Sequence, residues 1–488
     1  MVSKCQFGTL AGVGGFLTLA GVVFLACWSA LFDFVLNKQL VLSPTSYSFD
    51  LWADVPIPVY LEFNFFNWTN PDDILDPDPD VRRPKFVELG PYVFKEFRKK
   101  VVLGWHENNE TVTFLQNRTW HFEPGLSRGS LDDVVTTLNV PAIAAAFVIR
   151  DYPTLVKGAL NAAMILLQTN IRVDRKVREF TFEGYEDPLL DLAAFLPDGF
   201  LPVTIPFDKF GWFYTRNMSA TYDGIFNMWT GKGNIQRFGQ MAEWNYENPT
   251  STYKSYCGWV NGSAGEFFLP KPNKESISLF STDICRTLKM PFKEEVEVDG
   301  IKGYRYWGDE YIFDNLTRNP DNWCFSPSGE NPPHGAIDVS TCKWNTPAFV
   351  SFPHFFNADP SYREAVEGMN PDPKVHQLYV DLDQRSGIPL QVEASMQINM
   401  LMQSYPEYEI LRNLPKLYFP LFWFKERARI DDDIGSKIRL LNRVPGAGYV
   451  MFATMACIGA ALLAIFAYYY IDFRRQRRSE ADLKLVGT

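Results

Sequence analysis

Residues 447–471 read AGYVMFATMACIGAALLAIFAYYYI and contain no charged side chain. About 20 apolar residues, each rising ~1.5 Å, cross a ~30 Å hydrocarbon layer, so this run is long enough to span a bilayer. Arg474, Arg475, Arg477 and Arg478 follow at once, and a basic cluster beside a span belongs on the cytosolic side. Tyr468, Tyr469 and Tyr470 stand at its edge, where amphipathic rings favour the headgroup level. A buried core helix could match the length, but not the aromatic edge and the arginine cluster as well.

The other end mirrors this one. Phe7 to Phe32 is uncharged, between Lys4 and Asp33. A cleaved signal peptide has an apolar core of ~7–15 residues and a small-residue cleavage site. This run is longer and no clean A-x-A site closes it, so it reads as an uncleaved span. Gly8 and Gly12 make a small-xxx-small pair in it, with Gly14, Gly15 and Gly21 beyond. Such glycines let helices approach closely and could serve a homo-oligomer, although glycine is frequent in membrane helices generally. The expected organisation is a cytosolic N-terminus (1–6), a span (7–32), one extracytosolic domain (33–446), a second span (447–471) and a cytosolic tail (472–488).

The domain between the spans is acidic. The chain has a formal charge of −10, the segment from Asp472 onward carries five basic and three acidic residues, and Lys4 and Asp33 cancel, which leaves the loop at about −12. It has no basic run, so nucleic acid is not an expected partner. A loop of this length can bury one large core or two ordinary ones. Cys257, Cys285, Cys324 and Cys342 lie in it at wide spacing without C-x-x-C. That argues for two disulfides in an oxidising compartment rather than zinc, with three connectivities open. Asn67, Asn109, Asn117, Asn217, Asn261 and Asn315 begin N-x-[ST] sequons, all between the spans.

The loop is mostly β-type. Val59, Leu61, Phe63 and Phe65 alternate with polar or aromatic neighbours, Gly90-Pro91 punctuates before a run from Tyr92 to Val102, and Glu107 to Glu110 reads as a turn into Thr111–Leu115. Leu390 to Met402 has period two with one face apolar and is too long for an ordinary strand, which predicts a bend or bulge. Residues 130–170 differ. Ser130-Leu131-Asp132-Asp133 resembles a capping box, Leu131 to Arg150 reads as a helix interrupted by Pro141, and Pro153 starts another. These unusually apolar helices are either a core pair or an exposed cap that meets a ligand.

Little suggests catalysis. Gly125-Leu126-Ser127-Arg128-Gly129 fits G-x-S-x-G, and Asp338 and His354 follow. A nucleophile elbow needs a strand-to-helix turn in a parallel α/β sheet, and no β-α succession surrounds this Ser, so it reads as a plain turn. There is no H-E-x-x-H and no phosphate loop. No enzyme activity, cofactor or metal is expected.

The chain resembles the class B scavenger receptors, which include fatty acid translocase, lysosomal integral membrane protein two, croquemort and the sensory neuron membrane proteins. The matching stretches run in order from end to end: IPVYLEFNFFNWTNP from Ile57, VELGPYVF from Val87, SLDDVVTTLN from Ser130, TYDGIFNMWTG from Thr221, GWVNG from Gly258, FSTDICR from Phe280, VSFPHFFNADPSYREAVEGM from Val350 and QINMLM from Gln397. The resemblance implies an irregular antiparallel β-barrel ectodomain with an apical helical bundle at 130–170 and a lipid tunnel toward the membrane. It implies a plasma-membrane receptor that binds fatty acids, sterols, carotenoids or lipoprotein lipids and passes them on. The alternatives are a recognition receptor for apoptotic cells, microbes or particles, and a lysosomal, endosomal or sensory-neuron lipid-binding protein without transfer.

It also implies the pairs Cys257–Cys324 and Cys285–Cys342. Ligand contacts are expected on the apical block at Ile143, Phe147, Arg150, Leu155, Lys157, Leu160 and Met164. Three features depart from the family pattern. Ser326 stands where a further cysteine is common, and the stretch LLQTNIRVDRK from Leu166 holds only one lysine where some members are lysine-rich. The segment EADLKLVGT has no acidic-dileucine signal, so lysosomal sorting is unsupported.

Overall fold

The computed structural model describes residues 4–197, 199–201, 205, 207–314 and 316–486. It divides into two compact units, one made of residues up to Leu40 and from Asp432 onward, the other Val41–Asp431. The first unit is a helix pair, α1 (Lys4–Leu40) and α7 (Asp432–Val486). Both continue past their apolar runs, because the polar flanks at Asn37-Lys38 and Asp432–Arg443 extend the same backbone ladder. The β-rich unit is correspondingly shorter than residues 33–446.

Close approach within the helix pair follows from small residues. A Cβ on Gly21 would stand 2.7 Å from the Ala456 nitrogen, and one on Gly459 2.4 Å from that of Thr18. Phe24 stacks on Phe452 at 4.9 Å, and the Trp28 indole donates to the Pro445 carbonyl at 3.0 Å. Gly14 and Gly21 are therefore used inside one chain. Gly8, Gly12 and Gly15 have nothing within 4 Å of where a Cβ would lie.

The second unit is a barrel-like sheet. Its strands are β1 (Val59–Trp68), β2 (Phe86–His106), β3 (Thr111–Phe122), β4 (Val134–Leu138), β5 (Arg172–Lys176), β6 (Phe226–Trp229), β7 (Met241–Trp244), β8 (Ser276–Ser281), β9 (Arg286–Val298), β10 (Ile301–Trp307), β11 (Ala336–Asp338), β12 (Ala348–Ser351), β13 (Tyr379–Asp383), β14 (Pro389–Met402) and β15 (Leu417–Arg429). Eleven run in the order β7-β6-β3-β2-β1-β15-β14-β13-β10-β9-β8, all antiparallel, with β12 paired to β14 and β11. The edges nearly meet through one residue. Ser263 bridges Gln240, next to β7, and Leu279 on β8; its N–H donates to Ser278 O at 2.9 Å and its carbonyl accepts from Phe280 at 2.8 Å. Near-closure removes the exposed edges that would invite mispairing.

Strand β2 runs through the expected break at Gly90-Pro91. Gly90 takes φ +129°, and a Cβ there would stand 2.6 Å from the Phe63 carbonyl, so only glycine fits the close crossing. The ladder absorbs this with a register shift between Phe63 and Phe65. Strand β14 bulges against β15 between Ile398 and Asn399, and its other edge pairs first with β13 and then with β12. Both of its faces are covered. Gln397 and Asn399, polar in the alternation, are fully buried; Asn399 takes donors and acceptors from Gln397 and Ser351, and Gln397 accepts from the His354 N–H.

The expected helix from Leu131 is corrected. Residues 134–138 form β4, paired with β5, because Val134, Val135, Thr136 and Thr137 are β-branched and find a ladder partner. The Ser130–Asp133 signature makes a local turn, with Asp133 Oδ2 accepting from Ser130 N at 2.9 Å. The helices of the block are α3 (Val140–Val148) and α4 (Thr154–Leu166). Asn139 caps α3 by accepting from Ala142 N, so Pro141 sits in the first turn and interrupts nothing. The shorter helices α2 (Tyr47–Ala53), α5 (Pro188–Ala194) and α6 (Pro360–Glu364) complete the unit.

Two disulfides join Cys257 to Cys324 and Cys285 to Cys342, the pairs that the resemblance implies. Cys257, Cys285 and Cys324 form a small cluster of buried residues with Tyr253 and Phe325, and the half-buried Cys342 packs against both it and the main core.

Candidate functional site

A cavity of about 420 Å³ lies between the apical helices and the barrel wall. Its roof is one face of α3 (Val140, Ala144, Ala145, Val148), one face of α4 (Val156, Ala159, Leu160, Ala163) and α5 with the segment after it (Leu189, Leu192, Ala193, Phe200). Its floor is the inward face of β14 and β15, where Met396, Ile398, Met400, Phe422 and Phe424 follow the period of two. Alanines on the helices are what leave the space, since larger side chains at i, i+4 spacing would meet the floor.

The cavity has one polar end, where Arg216, Asp283 and Lys343 are the charged side chains among the described lining residues. Arg216 is almost wholly buried, holds Asp283 at 2.9 Å and Asp223 at 2.8 Å, and lies over the rings of Phe213, Tyr222 and Trp120. Burial alone would raise the Asp283 carboxyl, but Arg216 and Lys343 outweigh it and hold it at about 2.

From this end a chain of ion pairs crosses the barrel lumen. Asp223 also holds Arg118 at 3.3 Å; Arg118 reaches Glu96 at 3.4 Å; Arg98 pairs with both Glu96 and Glu426; and Lys100 pairs with Glu266 at 2.6 Å. Glu96, Arg98 and Lys100 come from β2, Arg118 from β3 and Glu426 from β15, while Asp223 and Glu266 reach in from connecting segments. The register places Leu61 opposite Phe94 and Glu426, and Val59 opposite Glu96. One pleat therefore separates the aromatic layer of the lumen from the charged one, on the side where β1 begins and β15 ends. Burial opposes the charge on Glu96, yet Arg98 and Arg118 still bring its pKa below the usual carboxylate value.

The seven expected ligand contacts fall apart in the structure. Ile143, Phe147 and Met164 are buried in the main core, which corrects the exposed-cap reading for α3. Arg150 donates to the Phe147 carbonyl and lies over its ring at 3.8 Å, and Lys157 pairs with Glu407 at 3.0 Å. Leu155 is exposed on the outer face of α4. Of the seven, Leu160 alone lines the cavity. The missed lining residues are mostly alanines and the β14–β15 floor; alternation places the floor residues on one face, but nothing local says what faces them.

Ser127 is a turn residue. Its hydroxyl donates to the Glu123 carbonyl and accepts from Val93 N, both at 2.9 Å. Asp338 instead accepts from Ser328 and Ser340, and His354 pairs with Glu88 at 2.9 Å. No group of side chains among the described residues could hold a metal ion. Of the sequons, Asn109 and Asn261 are exposed, Asn117 is half-buried on β3, and the side-chain oxygens of Asn67 and Asn217 accept from Thr136 and Trp120. Asn315 lies outside the described residues.

His354 stacks on His376 at 4.5 Å, beside Trp423. Burial, with His354 adding to it, pushes His376 down to about 4, while Glu88 and Asp372 pull weakly the other way. The folded state then binds fewer protons than the unfolded chain between about pH 6.5 and 4, so this stability is present at neutral pH and is lost as pH falls through that window. At pH 5 the loss is about 2 kcal/mol. The urea midpoint should drop from pH 7.4 to pH 5, and His376→Gln should flatten that drop; an unchanged slope in the variant would refute the assignment.

The structure thus comprises two helices long and apolar enough to cross a membrane, a nearly closed antiparallel barrel and an apolar cavity beneath the apical helices. The sequence profile of the CD36 family matches residues 12–470, and the chain belongs to that family. It is 33% identical to Protein peste of Drosophila melanogaster over 88% of this chain and 77% of that one. It is 34% identical to scavenger receptor class B member 1 of Rattus norvegicus (85% and 79%) and 29% identical to lysosome membrane protein 2 of Mus musculus (90% and 89%). The family is one of non-enzymatic receptors.

Proposed function

We propose that this receptor captures a hydrophobic lipid in the cavity beneath α3, α4 and α5 and passes it toward the membrane. The observation that carries the reading is the cavity itself: about 420 Å³, apolar on nearly all sides and within the ~300–1,000 Å³ range of ligand sites. The apolar outer face of α4 and α5, where Leu155, Leu166 and Phe195 stand exposed, offers a first contact for a lipid surface. The reading places the ectodomain outside the cell, both termini in the cytosol and glycans at the sequons, with Asn109 and Asn261 the most accessible of the described ones.

A second reading, capture without transfer, is favoured by the charged layer. Glu96, Arg98, Arg118 and Glu426 stand between the cavity and the far end of the lumen, and an alkyl chain passing there would have to part these pairs. The test fills the cavity. Ala163→Trp and Ala145→Trp should cut co-purifying lipid about tenfold, the effect of losing ~1.4 kcal/mol of binding, while leaving surface delivery intact. Unchanged lipid content in both would remove the cavity from the account. Lipid held by the wild type with no delivery to membranes would favour the second reading.

A further inference from the structure

We infer that the surface groove beside the β2–β3 turn and strands β6 and β7 seats the protein's own N-linked sugar chain, attached at Asn261. The inference rests on the reading that this unit lies outside the cytosol, and it is independent of the lipid cavity. The groove has a volume of about 590 Å³, within the ~300–1,000 Å³ range of ligand sites. Two sequon asparagines, Asn109 and Asn261, line it. Asn227, Met241 and Val260 are its buried lining, and the half-buried Trp229 and exposed Tyr246 add ring surface. Its polar groups have capacity to spare. The Asn227 amide donates to Thr113 Oγ1 at 2.8 Å, which leaves its carbonyl oxygen for an incoming donor. His106 meets the same hydroxyl through Nε2 at 2.8 Å and keeps Nδ1. Arg237 lies over the Trp229 ring at 4.5 Å, and neither it nor Glu243 has an ion-pair partner among the described residues.

A sequon chain starts with N-acetylglucosamine, whose ring offers C–H faces to aromatic side chains, hydroxyls to charged ones and an acetamido group with one donor and one acceptor. Asn261 is the better anchor of the two. Its N–H donates to Thr287 Oγ1 at 3.1 Å and its carbonyl accepts from the same hydroxyl at 3.1 Å. The preceding Val260 is gripped by the Asn248 side chain, which accepts from its N–H at 3.1 Å and donates to its carbonyl at 3.0 Å. A sugar on Asn261 therefore starts from a fixed point in the wall. Asn109 stands exposed in the β2–β3 turn, so a sugar there starts at the rim and is free to leave. Tethering decides the occupant. A short link gives an effective concentration in the ~mM range, so contacts too weak to hold a free sugar suffice to seat an attached one. A chain held against the protein is withheld from the enzymes that trim and extend it.

The experiment is site-specific glycopeptide mass spectrometry of the full-length protein, made in mammalian cells and collected from the cell surface. The wild type should carry mainly oligomannose at Asn261 and complex chains at Asn109. Arg237→Ser combined with Tyr246→Ser removes two exposed groove residues. It should raise the ratio of complex to oligomannose chains at Asn261 about tenfold, the change that losing ~1.4 kcal/mol of docking gives. Asn109→Gln should leave Asn261 as it is. Equal processing of the two sites in the wild type would overturn the inference, as would an Asn261 chain that stays oligomannose in the double variant. Release of Asn261 processing by Asn109→Gln would also overturn it, by assigning the protection to crowding between two sugar chains. If the double variant is not delivered to the surface, the wild-type comparison and Asn109→Gln decide. Bare asparagines at every sequon would defeat the extracytosolic reading and this one with it, whereas a fully processed Asn261 defeats only the groove.

Discussion

Phe147→Asp is expected to hold the protein in the secretory pathway and to abolish surface delivery. Phe147 is 3% exposed and belongs to the main core together with Ile143, Ala146 and Met164. Removing a buried aromatic ring costs about 3–5 kcal/mol before any charge is added. The carboxylate then enters an apolar site, where an ionised group is far more costly than in water. Arg150, which lies over the present ring, could offset part of that, but not the lost packing. A domain of ordinary stability, about 5–15 kcal/mol, does not carry such a loss easily. Leu166→Asp is the control on the same block. Leu166 is 83% exposed, so this change should stay within about 0.5 kcal/mol and reach the surface. Normal delivery of Phe147→Asp would mean that α3 is not packed as described.

The second large effect is expected from Arg98→Met. Arg98 stands between Glu96, Glu266 and Glu426, with Glu96 fully shielded from solvent. Removing one member of a buried ion pair costs about 3–5 kcal/mol, because the partner stays charged without compensation. Here Glu96 keeps Arg118 and the Trp120 indole N–H, and Glu266 keeps Lys100. The thermal midpoint should fall markedly and the purified yield with it. Adding Glu96→Gln should recover part of the loss, since it removes the orphaned charge. A double variant that is less stable than Arg98→Met alone would show that the lumen pairs do not act as described. Swapping the layer for well-packed apolar groups need not destabilise, which makes it a specific feature of this lumen rather than a requirement of the fold.

Several levels of this architecture are written plainly along the chain. The two uncharged terminal runs mark the spans, since no residue in them can be exchanged with a neighbour to change the reading. The alternation in β1, β14 and the start of β2 marks strands with one face inward. Wide cysteine spacing argues for disulfides rather than zinc, though it leaves the pairing open, and the pairing followed from the family resemblance rather than from spacing. The apical block was misread at its start because β4 is a strand only by virtue of β5, about forty residues away, and local signals at Ser130 favour a turn or a helix equally. Pro141 is ambiguous in the same way: within a helix it breaks, in a first turn it fits.

The site itself was hardly legible. Ala144, Ala145, Ala159 and Ala163 look like ordinary helix formers until β14 and β15 are placed beneath them, when their small side chains become the cavity. Glu96, Arg98 and Lys100 alternate in β2 as solvent-facing residues would, with Phe97 between them. In the barrel the parity is the reverse: the charges face inward and Phe97 is exposed. Period two assigns residues to a common face, but it cannot say which face is the inside, and a lumen that pairs charges across strands overturns the usual choice. Hydrophobic length and alternation are local properties, so they survive in one dimension. Burial, charge pairing and empty volume are properties of segments that meet only after the sheet closes at Ser263.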